Sequence, residues 1–320
     1  MLMNFWKMRN VINQDYLYTE EWLNVNSVRL TPNSLYIHAH DPEDRSLYCA
    51  AHLIENNPDT IFVEVSSSAD DVMAVFDSDQ TYPLNSQRSM ERFYAVYAKS
   101  KVYIEVTGMS CRIATPLIKY AIEHNINISV IYTEPAEYRI SEFQKEGLNK
   151  DLSESVDGIS PLPGLISIFP DDTPRVFVAL LGFEGGRFSA ILQDYNPVKE
   201  NVIPVVGVPG YRIEYPYATY WGNRIPLRNT MCWQKVRYAE ANSIVDAFLL
   251  LDQIYVYNRK AEMVVAPIGT KPHAIGAILY ALKHRDKVEL IYDNPKRSVH
   301  RTHGIGKVLV CDVTKLYNDN

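Results

Sequence analysis

The chain has 320 residues, longer than a usual single domain, so two units of about 150 residues each are expected. Its apolar fraction of 47% and charged fraction of 22% are those of an ordinary folded globular protein. With 32 basic against 38 acidic residues the net charge is −6, which argues against general duplex-DNA binding, because phosphate neutralisation needs a basic balance.

In chain order, residues 35–40 form the first strand-like run, followed by a helix over 45–54 opened by Asp41-Pro42. A strand at 60–65, a helix at 90–97, a strand at 101–106, a helix at 112–124 and a strand at 128–132 complete a β-α alternation, the signature of a parallel sheet with crossover helices. The polar stretch 144–163, with two glycines and two prolines, reads as a joint. Beyond it come strands at 175–181 and 202–206, with a glycine-containing turn and a helix between them. An aromatic-rich irregular insertion at about 208–230 precedes a helix at 243–251, a strand at 262–266, a helix after Gly269 and a strand at 288–292. The tail contains a polar loop or hairpin at 294–303 and one more strand at 306–313. The expected fold is therefore α/β, with a first Rossmann-like unit over 1–150 and a second over 164–320.

The second half repeats the first. Residues 108–124, Gly-Met-Ser-Cys-Arg-Ile-Ala-Thr-Pro-Leu-Ile-Lys-Tyr-Ala-Ile-Glu-His, match Gly-Thr-Lys-Pro-His-Ala-Ile-Gly-Ala-Ile-Leu-Tyr-Ala-Leu-Lys-His at 269–284. From Ala114 and Ala274 onward the register holds without a gap, so Tyr120 meets Tyr280, Tyr132 meets Tyr292 and Pro135 meets Pro295. An internal duplication with two facing copies builds one cleft about a pseudo-twofold axis. The cleft is where function is expected.

Ligands of open parallel sheets bind beyond the carboxyl ends of the strands. Two equivalent loops there carry an acid, an arginine and a serine: Asp44, Arg45 and Ser46 in one, Glu184, Arg187 and Ser189 in the other. A second equivalent pair carries Gly108, Ser110 and Arg112 against Gly269, Thr270 and Lys271. Glycine admits backbone amides to an anion, a helix N-terminus adds a positive dipole, and arginine or lysine adds a full charge. The set suits a phosphate or phosphodiester. Neither loop is a Walker loop or GxGxxG, so NTPase and dinucleotide chemistry lack a sequence warrant.

Strand residues 263–266 followed by Gly269-Thr-Lys-Pro272 resemble the strand, turn and helix of the CARF domains, the Rossmann-like sensors of CRISPR-associated proteins. The direct match covers some 30 residues, and the first half echoes it at 107–112 without the Lys-Pro pair. The resemblance implies pairing about a twofold axis, binding of a cyclic oligoadenylate in the shared cleft, and phosphate contacts from Gly269, Thr270 and Lys271 and from Gly108, Ser110 and Arg112. It also implies a separate effector protein, because no nuclease or winged-helix segment accompanies the two units.

Other patterns carry less. His38 and His40, two apart on a strand and next to Asp41, share a face and could hold a metal, but the fuller metallohydrolase spacing is absent; no metal and no cofactor are expected. His300 and His303 lie in a basic loop. The insertion from Tyr211 to Arg224 could stack bases or pack the loop. Ser46, Ser110 and Ser189 lack a GxSxG setting and a recognisable paired base. Cys49, Cys111, Cys232 and Cys311 lack CxxC spacing and read as buried thiols of a reducing compartment. No apolar run reaches membrane-spanning length and no secretory leader is evident, so a cytoplasmic location and no membrane partner are expected. The reading is a nucleotide- or oligonucleotide-binding sensor subunit of prokaryotic antiviral defence; a hydrolase using the same cleft and a scaffold subunit are the alternatives.

Overall fold

The computed structural model describes residues 14–39, 44–67, 71–76, 78–97, 99–138, 152–166, 175–259, 261–298 and 301–320. Its first half contains β1 (Thr19–Trp22), β2 (Leu35–Ala39), α1 (Asp44–Asn56), β3 (Ile61–Ser67), β4 (Val72–Val75) and β5 (Thr81–Pro83). It continues with α2 (Gln87–Tyr97), β6 (Val102–Glu105), α3 (Cys111–Glu123) and β7 (Ile128–Tyr138). The second half contains β8 (Ser153–Val156), β9 (Arg175–Leu180), α4 (Gly185–Tyr195), β10 (Val202–Gly207), α5 (Tyr215–Gly222), α6 (Arg224–Asn229) and β11 (Arg237–Ala239). After these come α7 (Ile244–Tyr257), β12 (Glu262–Pro267), α8 (Lys271–Lys283), β13 (Val288–Leu290), β14 (Pro295–Arg297), β15 (Thr302–Cys311) and α9 (Val313–Asp319).

Two sheets form the frame of an α/β, Rossmann-like protein. An eight-stranded mixed sheet runs β1-β15-β7-β6-β2-β3-β4-β5, with β7, β6, β2 and β3 parallel at its centre. A five-stranded, wholly parallel sheet runs β11-β10-β9-β12-β13. The central strands are continuous apolar runs because crossover helices cover both faces. β2, β6 and β12 are buried at every position. Each half places its first parallel strand, β2 or β9, between the strand that follows it and a later one: β3-β2-β6-β7 in one, β10-β9-β12-β13 in the other.

Packing at the repeated tyrosines is alike in the two halves. Tyr120 of α3 stacks on Tyr94 of α2 at 5.1 Å and on His124 at 3.9 Å. Tyr280 of α8 meets Phe248 of α7 at 5.5 Å and His284 at 4.5 Å. Side chains four apart on a helix share a face, which is why each Tyr-His pair recurs as a ring contact. α3 and α8 touch, and a single apolar cluster includes Leu117 and Ile118 together with Ile275 and Ile278.

Three sequence expectations need correction. The sequence places the tail strand within the second unit; instead β15 pairs antiparallel with β7 of the first sheet, from Thr302 opposite Tyr138 to Cys311 opposite Val130. β7 is 11 residues long and would otherwise leave an extended edge of unpaired backbone, whereas β13 has three residues to offer. The insertion at 208–230 is largely helical, not irregular, because Tyr215, Ala218, Thr219, Pro226 and Leu227 bury one side of α5 and α6. The joint at 144–163 holds β8, which pairs antiparallel with β14.

Candidate functional site

The strand-end loops of both halves meet at one cleft. Of the two repeated glycines Gly269 lines the cleft while Gly108, expected there too, does not, and both are glycine for a packing reason. A Cβ on Gly108 would lie 2.3 Å from the Ala39 carbonyl oxygen, and one on Gly269 would lie 2.7 Å from that of Leu181. Each glycine lets the loop after one strand lie against the end of its neighbour, β6 on β2 and β12 on β9. Close packing alone accounts for both.

The hydroxyl residues that follow are helix caps. Ser110 Oγ accepts from the Ile113 N–H at 3.3 Å at the start of α3. Thr270 Oγ1 accepts from the His273 N–H at 3.3 Å at the start of α8 and donates to the Ala241 carbonyl at 2.7 Å. These bonds satisfy donors that a helix end otherwise leaves open.

The cations of the same loops diverge. Lys271 reaches from the second half into the first, where its Nζ donates to the Val106 carbonyl at 2.7 Å and to that of Met109. Arg112 turns away from the cleft, toward Asp71 of its own half, the joint and Asn294 beyond β13. Its Nε donates to Asp71 Oδ1 at 2.5 Å, Nη2 bonds the other carboxylate oxygen, and Nη1 donates to Ser160 Oγ at 2.9 Å and Asn294 Oδ1 at 3.0 Å. The Arg112 guanidinium holds the Asp71 carboxyl below its ordinary range. Lys271 lines the cleft and Arg112 does not.

Arg45 and Arg187 take matching places in the first turns of α1 and α4. Arg45 is buried; its Nη1 donates to the Thr133 carbonyl at 2.6 Å and the Tyr132 hydroxyl at 3.2 Å, and Nε to Thr302 Oγ1 at 3.3 Å. Arg187 donates twice to the Asp293 carboxylate, at 2.7 Å from Nε and 2.7 Å from Nη2, and once to the Ile268 carbonyl at 3.1 Å. Burial works against the Arg187 charge, yet Asp293 holds its pKa above the ordinary value. Thr133 and Asp293 each follow the repeated tyrosine, so both arginines reach the same place, a backbone oxygen in one half and a carboxylate in the other.

Glu184 precedes α4, and its carboxylate accepts from the backbone of Leu152 at 3.0 Å and Ser153 at 2.7 Å, and from Ser153 Oγ at 3.1 Å. It anchors the start of β8. Asp44 opens α1, but its side chain lies outside the described residues, and Ser46 is fully buried beneath the Gly108 loop.

Tyr132, Tyr138, Phe183, Tyr211, Tyr215 and Tyr292 line the cleft together with Arg45, Arg187, Lys271 and Arg301. The sequence singled out Tyr211 and Tyr215 as part of the insertion, but not Tyr132, Tyr138, Phe183 and Tyr292 as ligand-facing rings. Tyr138 and Tyr211 lie nearly parallel at 6.3 Å, while Phe183 meets Tyr138 and Tyr215 edge-on at 5.3 Å each. The Tyr215 hydroxyl accepts from the Tyr138 N–H at 3.0 Å, joining the insertion to β7. The repeated pair Tyr132 and Tyr292 was the available signal. The enclosed space is about 110 Å³, and an adjoining hollow of about 290 Å³ shares Ser153, Phe183, Glu184 and Arg187 as its wall.

Glu105, also missed, lies beneath this region at the end of β6. It is completely buried, and burial pushes its carboxyl up to about 7 against the opposing pull of the Thr107 hydrogen bond and the Lys271 and Arg45 charges. One carboxyl oxygen accepts from the Thr107 N–H at 2.9 Å; Oε2 has no hydrogen-bond partner. A charged residue inside the otherwise apolar run 102–106 was the sequence clue.

His38 is buried, and desolvation lowers its pKa to about 4, so its ring is neutral near pH 7. His40, Asp41 and His300 lie outside the described residues, while His303 sits on β15. Among the described residues no three His, Cys, Asp or Glu side chains are grouped to hold a metal ion. The four cysteines are buried free thiols, as their spacing suggests. Among the described residues no helix is long and apolar enough to cross a membrane.

No protein-family model matches the chain, and no curated protein matches it. Among solved structures, the precorrin-6A reductase CobK is similar at 12% identity and a TM-score of 0.24, over 84% of this chain and 93% of that one. The phosphoethanolamine N-methyltransferase 1 of Haemonchus contortus, in complex with phosphoethanolamine and S-adenosylhomocysteine, follows at 9% identity and a TM-score of 0.17, over 79% of this chain and 71% of that one. Likenesses at this level carry no argument about function. The class rests on the strand order itself: an α/β protein with Rossmann-like parallel sheets.

Proposed function

We propose that the chain is a duplicated, CARF-like sensor subunit that binds a nucleotide, or a short linear or cyclic oligonucleotide, in the cleft between its halves. A separate effector protein would read out occupancy, in a prokaryotic antiviral defence system. The observation that carries the binding reading is the lining of one cleft by guanidinium groups from both halves, Arg45 and Arg187, together with a group of tyrosine rings. Rings suit a planar base, and the guanidinium groups would suit phosphate on exchanging the contacts that now hold them, Arg187 with Asp293 and Arg45 with the Thr133 carbonyl. The defence setting rests on the Gly-Thr-Lys-Pro turn alone.

The cleft encloses about 110 Å³, below the roughly 300–1,000 Å³ of ordinary ligand sites. A nucleotide exceeds this space, and would take up the adjoining hollow of about 290 Å³ or part the rings of Tyr138, Phe183, Tyr211 and Tyr215 to enter. These rings come from both halves, so parting them would shift one half against the other, which is the differential contact a sensor needs. The hydroxyls of Ser110 and Thr270 serve as helix caps, which weakens the hydrolase alternative.

Incubation with a panel of mononucleotides and linear and cyclic oligonucleotides, followed by mass spectrometry of bound and converted species, tests the proposal. Retention without conversion is expected. Conversion would replace the sensor by a hydrolase, and neither outcome would leave a scaffold.

A further inference from the structure

The insertion between β10 and β11 has two faces. Tyr215 and Thr219, four residues apart on α5, are buried and line the cleft. Tyr217 and Trp221, also four apart, point the other way and are 72% and 41% exposed. Beyond Asn223 the exposed stripe continues at Arg224 and Arg228 of α6. Trp233, in the turn after α6, and Tyr238, on the edge strand β11, are 52% and 55% exposed. The Tyr220 and Tyr238 hydroxyls lie 2.8 Å apart, which brings the sheet edge beside α5, and the Arg224 guanidinium covers the Trp221 ring at 4.4 Å.

Charge in this segment is unbalanced. Residues 211–238 hold five cations and a single acid, Glu214, in a chain whose net charge is −6. Arg212 is neutralised by Glu137 and Glu214. Arg224, Arg228, Lys235 and Arg237 have no carboxylate ion pair among the described residues. The bonds of three of them go to backbone carbonyls: Arg224 to Trp221, Lys235 to Glu200, and Arg237 to Lys235 and Val236. Arg187 and Arg112 are, by contrast, each locked to a carboxylate. Exposed flat rings interleaved with unneutralised cations fit a polyanion that presents unstacked π-faces.

We propose that the α5–α6–β11 face is a second site, binding single-stranded nucleic acid outside the cleft. Trp221, Trp233 and Tyr238 stack on bases while Arg224, Arg228 and Arg237 neutralise phosphates. A duplex hides its base faces, and an acidic polypeptide would use the cations without the rings.

Fluorescence anisotropy of a labelled oligodeoxythymidylate and a labelled oligouridylate, across a salt series, tests this on the whole chain. Binding at low salt with quenching of tryptophan emission is expected. The R224Q/R228Q/R237Q variant should lower the slope of log K against log salt by about 2, at about 0.7 for each single-strand phosphate that is no longer neutralised. The W221A/W233A variant should weaken binding about fivefold or more per stacked base with little change in slope. All five side chains are exposed, so thermal melting of the variants should match the parent. Failure of the parent chain to bind either oligomer at low salt would overturn the site, as would folded variants with parental affinity and slope. Polyglutamate binding that is indifferent to W221A/W233A would assign the face to an acidic protein and overturn it too. Substitutions in the cleft should leave all these readouts unchanged.

Discussion

Replacing Glu105 by glutamine keeps the side-chain shape and the acceptor for the Thr107 N–H while removing the ability to ionise. In the folded chain burial raises this carboxyl from its ordinary value of 4.5 to about 7, so folding favours the protonated form. Below pH 4.5 both states hold the proton and no stability is lost. Between 4.5 and about 7 the unfolded chain releases the proton while the folded chain keeps it, and stability falls by about 1.4 kcal/mol per pH unit. Above about 7 the loss levels off at about 3 kcal/mol. Glu105→Gln should therefore match the parent within about 1 kcal/mol at pH 5 and exceed it by about 3 kcal/mol at pH 8. Urea unfolding of both proteins at the two pH values measures the difference. Asp15, raised to about 6, Glu240, raised to about 7, and His38, lowered to about 4, titrate in both proteins and cancel. A variant less stable than the parent at pH 8 would refute the argument, and would mean that Lys271 and Arg45 require an ionised carboxylate beside them.

Three further substitutions examine the strand-end loops and the helix starts beside them. Lys271→Met leaves the Val106 and Met109 carbonyls without their ammonium donor, and should cost about 2–4 kcal/mol of unfolding free energy, the scale of charge-assisted hydrogen bonds. Parental stability with weakened nucleotide binding would instead make Lys271 a ligand contact and not a bridge between halves. Gly108→Ala sets a methyl group against the Ala39 carbonyl and should lower stability by about 1–3 kcal/mol, whereas Gly186→Ala, where nothing lies within 4 Å, should be neutral or mildly stabilising in thermal melts. Equal melting temperatures for the two would remove the close-packing explanation of Gly108.

The parallel core was legible in the sequence because its cause is local. Runs such as those at 35–39, 102–106 and 262–267 are apolar at nearly every position, which suits only strands covered on both faces, and the Gly108 and Gly269 turns stand out because a strand meets a helix there. The matching surroundings of Tyr120 and Tyr280 follow from the same i, i+4 spacing to a histidine. Short elements were harder. β4, β5, β11 and α9 have between three and seven residues each, too few for a period to be read, and α5 and α6 were hidden by proline and glycine within an aromatic stretch.

Residue types at the strand ends were determined by the sequence alone: a glycine, a hydroxyl residue and a cation at each repeated loop. What those cations do was decided by tertiary structure. Arg112 meets Asp71, 41 positions earlier, and Arg187 meets Asp293, 106 positions later, while Lys271 finds carbonyl oxygens in the other half. The tail strand likewise reads as a strand anywhere, and joins the first sheet because β7 is where a long edge lay open. A buried cation must be matched by an acceptor and an open sheet edge by a strand, but the partner that satisfies either can lie anywhere along the chain.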